Sequence, residues 1–207
     1  MGASLTAKEA AGLIGKSDVI SLIEQRRLLV EPILDLESQL DELGLDLRLD
    51  CFFREFVRTD RGFISPGDEA HGTNLREIEP FRDSFFLQPG EFALAQCLEY
   101  IALPNDVLCF LNGRSSLGRR GLIVHATANI VDPGWRGHLV FELANLGVLP
   151  IELFPLMRVA RLVFMRTKPV EAYEGPYVGQ IRINPPPRDP LVLRLMEMKS
   201  AGLSRQS

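Results

Sequence analysis

Between two apolar stretches the chain reads GRSSLGRRGL, residues 113–122. Gly113 permits a tight turn, and such a turn exposes backbone N–H groups. Ser115 and Ser116 add hydroxyl donors, and Arg114 adds a planar fork that matches phosphate oxygens. The same residues also suit a polar turn leading into an arginine-rich helix start, and local chemistry leaves both readings open. The segment has neither the Gly-Lys-Ser/Thr ending of a P-loop nor the G-x-S-x-G spacing of a nucleophile elbow.

Glu142 is a second candidate. In HLVFELANL, period two places Val140, Glu142 and Ala144 on one strand face and Leu139, Phe141 and Leu143 on the other. Both faces are largely apolar, so the carboxyl is expected to be partly buried. Burial away from a cation favours the neutral form of a carboxyl, which suits a general acid or base. An edge carboxylate paired with an arginine is the alternative. Asp132 precedes Pro133-Gly134, a strong turn signal. Its carboxylate either shapes that turn or accepts a hydrogen bond from a sugar hydroxyl. Trp135 is the one tryptophan and is expected as a packing anchor, and His125 as a satisfied core histidine.

A zinc deaminase site needs an H-x-E context and a P-C-x-x-C pair. None of His71, His125 and His138 is followed by x-Glu, and Cys51, Cys97 and Cys109 are far apart. A catalytic zinc is therefore not expected. Deamination by this chain would use a water activated by protein groups alone.

These residues need a frame. The chain has 207 residues and 46% hydrophobic content, enough for one domain with a sizeable core. Net charge is −4, so no overall basic field draws it to nucleic acid or a membrane. No apolar run reaches the length of a membrane span. The cysteines lie in apolar runs and read as buried free thiols in a reducing cytosol.

Thr6 and Glu9 have capping-box spacing and predict a helix over 6–16. A second helix is predicted over about 18–27, capped by Ser17. LDLRLD, residues 45–50, has strand period, and residues 58–80 read as a polar loop. From Phe85 onward short strands, GLIVHATANIV among them, alternate with turns such as Gln88-Pro89-Gly90. That spacing predicts an all-β sandwich or barrel-like core. NPPPRDP ends it, because consecutive prolines cannot sit within a sheet, and a short helix is predicted over 191–198.

Taken in order, PGEFALAQCLEYIALPNDV, the block from GRSSL through DPGW to HLVFELANLG, and LPIELFPLMRVARLVF resemble the dCTP deaminase branch of the dUTPase-like superfamily. LGLDLRLD resembles its early strand, and the resemblance covers roughly residues 10–182. It implies a mainly β fold with a distorted β-barrel, or β-clip, dUTPase-like core and short N-terminal helices. One domain over 1–184 and a proline-rich tail over 185–207 follow. It also implies a cytoplasmic homotrimer with active sites between subunits and no nucleic-acid or membrane partner. The implied reaction is zinc-independent hydrolysis of dCTP to dUTP and ammonia, with Mg²⁺ on the triphosphate. A bifunctional dCTP deaminase/dUTP diphosphatase giving dUMP and pyrophosphate is the alternative within the family. A non-catalytic trimeric nucleotide-binding relative is the alternative outside catalysis.

Carried over by position, Glu142 activates the water, and Ser115 and Arg119 hold that water and the glutamate. Arg114 and Ser116 contact the triphosphate, while Ala126, Thr127 and Ala128 line the base. Asp132 takes the 3′-hydroxyl, and Tyr177 and Gln180 belong to a segment that closes over the phosphates. Pro176 stands where the family usually carries a lysine. One cation is thereby lost, unless Arg182 or Arg188 replaces it.

Overall fold

The alternation read at Glu142 runs through the long strands of the computed structural model, which describes residues 12–57, 62, 73–79, 82–184 and 190–203. The first half of the chain gives β1 (Gly12–Leu13), α1 (Lys16–Glu24), β2 (Leu29–Glu31), α2 (Leu36–Gln39), β3 (Leu45–Phe56), β4 (Thr73–Glu77), β5 (Phe85–Leu87) and β6 (Phe92–Ala102). The second half gives β7 (Val107–Gly113), α3 (Ser115–Gly118), β8 (Leu122–Ile123), β9 (Ile130–Val131), β10 (Arg136–Asn145), β11 (Ile151–Leu153), β12 (Arg158–Arg166) and α4 (Pro190–Leu203). The fold is mainly β, as expected.

The main sheet runs β8-β10-β6-β3-β12-β7-β9 and curls on itself as a half-barrel, with β1, β2 and β4 added to β12, β6 and β3. β5 and β11 form a separate two-stranded sheet. Along β10, Leu139, Phe141 and Leu143 are buried and Val140, Glu142 and Ala144 are half-buried, which is the predicted division of faces. Phe53, Phe141 and Phe164 are fully buried in the core. Phe53 stacks on Phe85 at 4.6 Å and ties β3 to β5. Asn145, fully buried, donates to the carbonyls of Leu87 and Leu149 at 2.9 Å and joins the end of β10 to the small sheet.

Several expectations change. The helix predicted over 6–16 lies outside the described residues except at its end, where Gly12–Leu13 pairs with Met165 and Arg166 as a strand. α1 starts at Lys16 with Gly15 as its N-cap and no side-chain cap, so Ser17 is inside the helix. Lys16 N donates to Glu42 O at 3.0 Å, and this loop contact sets the helix start. Within the predicted 58–80 loop, Thr73–Glu77 forms β4 against β3. There ladder hydrogen bonds override a polar sequence, and most of the rest of that stretch lies outside the described residues. GLIVHATANIV yields only two dipeptide strands, Leu122–Ile123 and Ile130–Val131, around a bent loop. The tail helix forms and extends from Pro190 to Leu203. Pro190 takes its first position, where a missing N–H costs nothing.

The first half of β3, residues 45–49, is buried on both faces, so its charged residues need partners inside the protein. Glu99 on β6 is 0% exposed. Its carboxyl accepts from Arg48 N at 2.9 Å, Gln39 Nε2 at 2.8 Å and the Cys97 thiol at 3.2 Å. Arg48 Nη1 lies 3.5 Å from it. Burial outweighs these donors and holds the Glu99 carboxyl above its ordinary value of 4.5. Its contribution to stability is therefore full below that value and lost as pH rises through the folded-state value. Glu99→Ala should cost about 3–5 kcal/mol, because it strands the Arg48 charge. Glu99→Gln should flatten the dependence of stability on pH. Denaturant unfolding across pH checks both, and a cost under about 1 kcal/mol for the alanine variant would contradict the account.

Candidate functional site

The site is built around Glu142, at the middle of β10. Glu142 N donates to Val124 O at 2.9 Å, which holds the loop after β8 beside the strand. The loop then turns its backbone toward the side chain. Ala126 N and Thr127 N donate to Glu142 Oε2 at 2.8 and 3.0 Å. Thr127 Oγ1 lies 3.4 Å from Oε2 and 3.5 Å from Oε1, both long for a hydroxyl donor. One carboxylate oxygen is thus fastened by main chain and the other is left for a further partner. Among the described residues of the one chain no cation pairs with Glu142. Ala126, Thr127 and Ala128 are exposed and open to a ligand.

The Asp132-Pro133-Gly134-Trp135 turn forms as predicted, with Trp135 N donating to Asp132 O at 3.1 Å. Gly134 has φ +79°, and a Cβ there would lie 2.5 Å from Ala172 Cβ, so the turn requires glycine. Trp135 is 7% exposed and anchors the turn in the core. The Asp132 side chain is exposed and makes no hydrogen bond among the described residues.

The segment carrying Tyr177 and Gln180 lies along β10 of its own chain. Tyr173 N donates to Pro133 O at 3.0 Å, Gly179 N to Arg136 O at 2.8 Å and His138 N to Gln180 O at 2.8 Å. Gln180 is 6% exposed, and its amide donates to His138 O at 3.3 Å. It anchors the segment. Burial raises the Tyr177 phenol above its ordinary value of 10.0, and Tyr173 and Glu142 push it further the same way. Tyr177 therefore faces the Glu142 field as a neutral hydroxyl. Pro176 is exposed. Arg182 sits over the Phe52 ring at 4.0 Å, and Arg188 lies outside the described residues.

Ser115, Ser116 and Arg119 are exposed on and beside α3. Among the described residues no hydrogen bond or ion pair joins them to Glu142. Within one chain the structure joins Glu142 to the 126–127 backbone and brings Tyr177 within its field.

Arg114 leads to residues that the sequence reading passed over. Its Nη1 donates to Asp46 Oδ2. Arg158 Nη1 reaches the same oxygen at 3.4 Å, and Arg161 Nε donates to Oδ1 at 2.9 Å. Asp46 is only 2% exposed. One buried carboxylate therefore gathers guanidinium groups from the end of β7 and from β12. The signal was present in LDLRLD, where charges alternate inside a strand too apolar to leave either face in water. A charge in such a strand must be paired.

His125 differs from expectation. It is half-buried in the loop and makes no hydrogen bond among the described residues, because the loop has left the ladder. Cys97 and Cys109 are buried free thiols as expected, while Cys51 is half-buried. Among the described residues no group of His, Cys, Asp and Glu is placed to hold a metal, and no helix is long and apolar enough to cross a membrane.

Asp46→Ala should destabilise the fold by about 3 kcal/mol or more, since it leaves several guanidiniums facing one another. Added salt should recover part of that loss by screening. Chemical unfolding at two ionic strengths reads the effect, and a neutral variant would show that Asp46 does not organise these arginines.

With this geometry in place, the comparisons with known proteins are specific. A family model described as dCTP deaminase-like matches residues 13–167. A protein named dCTP deaminase from Halorubrum lacusprofundi is 39% identical over 158 residues, covering 75% of this chain and 78% of that protein. One from Dictyoglomus turgidum named dCTP deaminase, dUMP-forming, is 39% identical over 162 residues, covering 77% of this chain and 83% of that protein. The crystal structure of 2'-deoxycytidine 5'-triphosphate deaminase from Agrobacterium tumefaciens superposes with a TM-score of 0.59 at 21% identity. That superposition covers 75% of this chain and 47% of the solved chain, so this chain spans about half of that structure's length.

Proposed function

The chain belongs to the dCTP deaminase-like family, and we propose that it hydrolyses dCTP to dUTP and ammonia. The observation that carries this reading is the half-fastened Glu142 carboxylate. Oε2 is locked by Ala126 N and Thr127 N, while Oε1 has only the long Thr127 hydroxyl contact. Oε1 is therefore the atom that takes a proton from water. The hydroxide so formed adds to C4 of cytosine as the C4=N3 π bond opens, and Glu142 passes the proton it took to N3. Glu142 then takes the proton of the new C4 hydroxyl and delivers it to the amino nitrogen, so that the C4–N bond breaks, ammonia leaves and a C4 carbonyl remains. Fixing one oxygen holds the other in line through these transfers.

The remaining roles follow from placement and family position. Ala126 to Ala128 border the base, Asp132 offers its free carboxylate to the 3′-hydroxyl, and Arg114 and Ser116 meet the phosphates. The neutral Tyr177 hydroxyl is a donor at the mouth of the site, and Gln180 keeps its segment seated. Ser115 and Arg119 hold the water and the glutamate from a neighbouring copy in a homotrimer. The lack of a hydrogen bond or ion pair between them and Glu142 among the described residues of one chain supports this division. So does the exposed apolar loop between β10 and β11, where Leu146, Val148 and Leu149 are 72%, 90% and 73% exposed, which offers subunit contact. Magnesium enters as the Mg²⁺–dCTP complex. The chain's own donors fit that arrangement, because the Asp46 oxygens are occupied by arginines. A nucleotide substrate and three free cysteines support a cytoplasmic location.

A second product reading is favoured by the name of the Dictyoglomus turgidum relative. Incubation with dCTP and Mg²⁺ separates the two. Ammonia with accumulating dUTP indicates deamination alone, and ammonia with dUMP and pyrophosphate indicates both activities. Glu142→Gln should reduce kcat by about a hundredfold or more while the protein stays folded. Unchanged turnover would remove Glu142 from the reaction. A zinc-selective chelator should leave the rate unchanged, whereas removing Mg²⁺ should lower it. Loss of activity with the zinc chelator would contradict the mechanism.

A further inference from the structure

The strand that carries Glu142 ends in a joint with the chain that leaves α3. Asn145 closes β10 and is fully buried. Its Oδ1 accepts from Gly147 N at 2.8 Å, and its Nδ2 donates to Leu149 O at 2.9 Å. One buried side chain thus shapes the loop whose Leu146, Val148 and Leu149 are exposed. The end of α3 lies against the same loop. Leu146 N donates to Gly121 O at 2.8 Å. Gly121 has φ +92°, and a Cβ on it would lie 2.6 Å from Gly147 N. A Cβ on Gly147 would lie 3.0 Å from Arg120 O and 3.0 Å from Asn145 Oδ1. Two backbones therefore meet at a pair of glycines, an approach that a side chain obstructs. Arg120 carries the joint back into the helix, since its Nη1 donates to Ser116 O at 2.6 Å. Arg119 lies within this frame. It is the C-cap of α3, and its N–H donates to Ser115 O at 3.0 Å.

We propose that Asn145, Gly121 and Gly147 are positioning residues for Arg119. They fasten the backbone that carries its guanidinium to the apolar loop offered for subunit contact. This rests on the reading in which Arg119 serves Glu142 of a neighbouring copy. Under that reading, docking through Leu146, Val148 and Leu149 also sets where Arg119 arrives, because loop and helix end are packed as one unit. An arginine on a short exposed helix has no other fixed relation to the neighbour's site. Misplacing such a group costs rate, and a shift of about 1 Å costs about a hundredfold.

Gly147→Ala tests this, because it presses on Arg120 O without altering an exposed apolar side chain. In ammonia release from dCTP it should lower kcat about tenfold and leave KM within about twofold. Gly12→Ala controls for simple destabilisation. Gly12 has φ +148° with open space around a Cβ, so this variant should lower the unfolding temperature and keep kcat. The decisive arm places Gly147→Ala in one of two inactive chains, Glu142→Gln and Arg119→Ala, before they are refolded together. On the Glu142→Gln chain, which supplies Arg119, it should lower the recovered activity about tenfold. On the Arg119→Ala chain, which supplies Glu142, it should lower that activity by less than about twofold. A merely structural effect would not follow the Arg119-bearing chain. If Gly147→Ala does not fold, Asn145→Ser takes its place in every arm, since it frees Leu149 O while shortening the side chain. Wild-type kcat in the folded variant, or equal losses in the two placements, would overturn the positioning role while leaving Arg119 in the reaction. Mixed assemblies with no recovered activity would remove Arg119 from the neighbouring site, and the positioning role would fall with it.

Discussion

Two backbone N–H groups on one carboxylate oxygen set the character of this protein. Ala126 and Thr127 give to Glu142 the hydrogen bonds that a continuous strand would have given to a neighbour. The chain between β8 and β9 consequently leaves the sheet and lies open. That departure creates an exposed floor of small residues beside a carboxylate with one occupied and one available oxygen. The Asp132 turn and the Tyr177 segment then pack around the same strand, and Gly134 and Gln180 fix how closely they approach. A single side chain on β10 is the point about which the open loop is arranged.

The opposite problem is solved on β3. There the first half of the strand is too deeply buried to present its charges to water, so Asp46 on β3 and Glu99 on the neighbouring β6 become internal anchors for arginines. An isolated charge would be costly in such a place, whereas a carboxylate surrounded by guanidinium donors is tolerated. The arrangement has a functional side, because Arg114, which the proposed function sets against the phosphates, is one of the arginines that Asp46 holds.

Much of this was legible in the sequence. Period two in HLVFELANL gave the correct division of faces on β10, and Asp132-Pro133-Gly134 gave a turn that the structure contains. The ordered set of motifs pointed to the family that the comparisons support. What escaped depends on contacts distant in sequence. β4 forms because β3 offers a free edge, and no periodicity in a polar stretch reveals that. The helix start at Lys16 is fixed by Glu42 O, 26 residues away by sequence number. GLIVHATANIV has the composition of a strand, yet its middle is a loop whose N–H groups at Ala126 and Thr127 bond Glu142 and not a neighbouring strand. Arg114 looked free for phosphate, yet Asp46, far away in sequence, holds part of its guanidinium.

The central claim is that Glu142 works with Ser115 and Arg119 supplied by another copy of the chain. Mixing subunits tests it most directly. Glu142→Gln and Arg119→Ala proteins, each inactive alone, are unfolded together, refolded as mixed assemblies and assayed for ammonia release from dCTP. Random mixing should restore activity at about a quarter of the sites, because some interfaces then pair an intact Glu142 with an intact Arg119. Mixed assemblies that form but stay inactive would show that both residues must come from one chain, and would contradict the account.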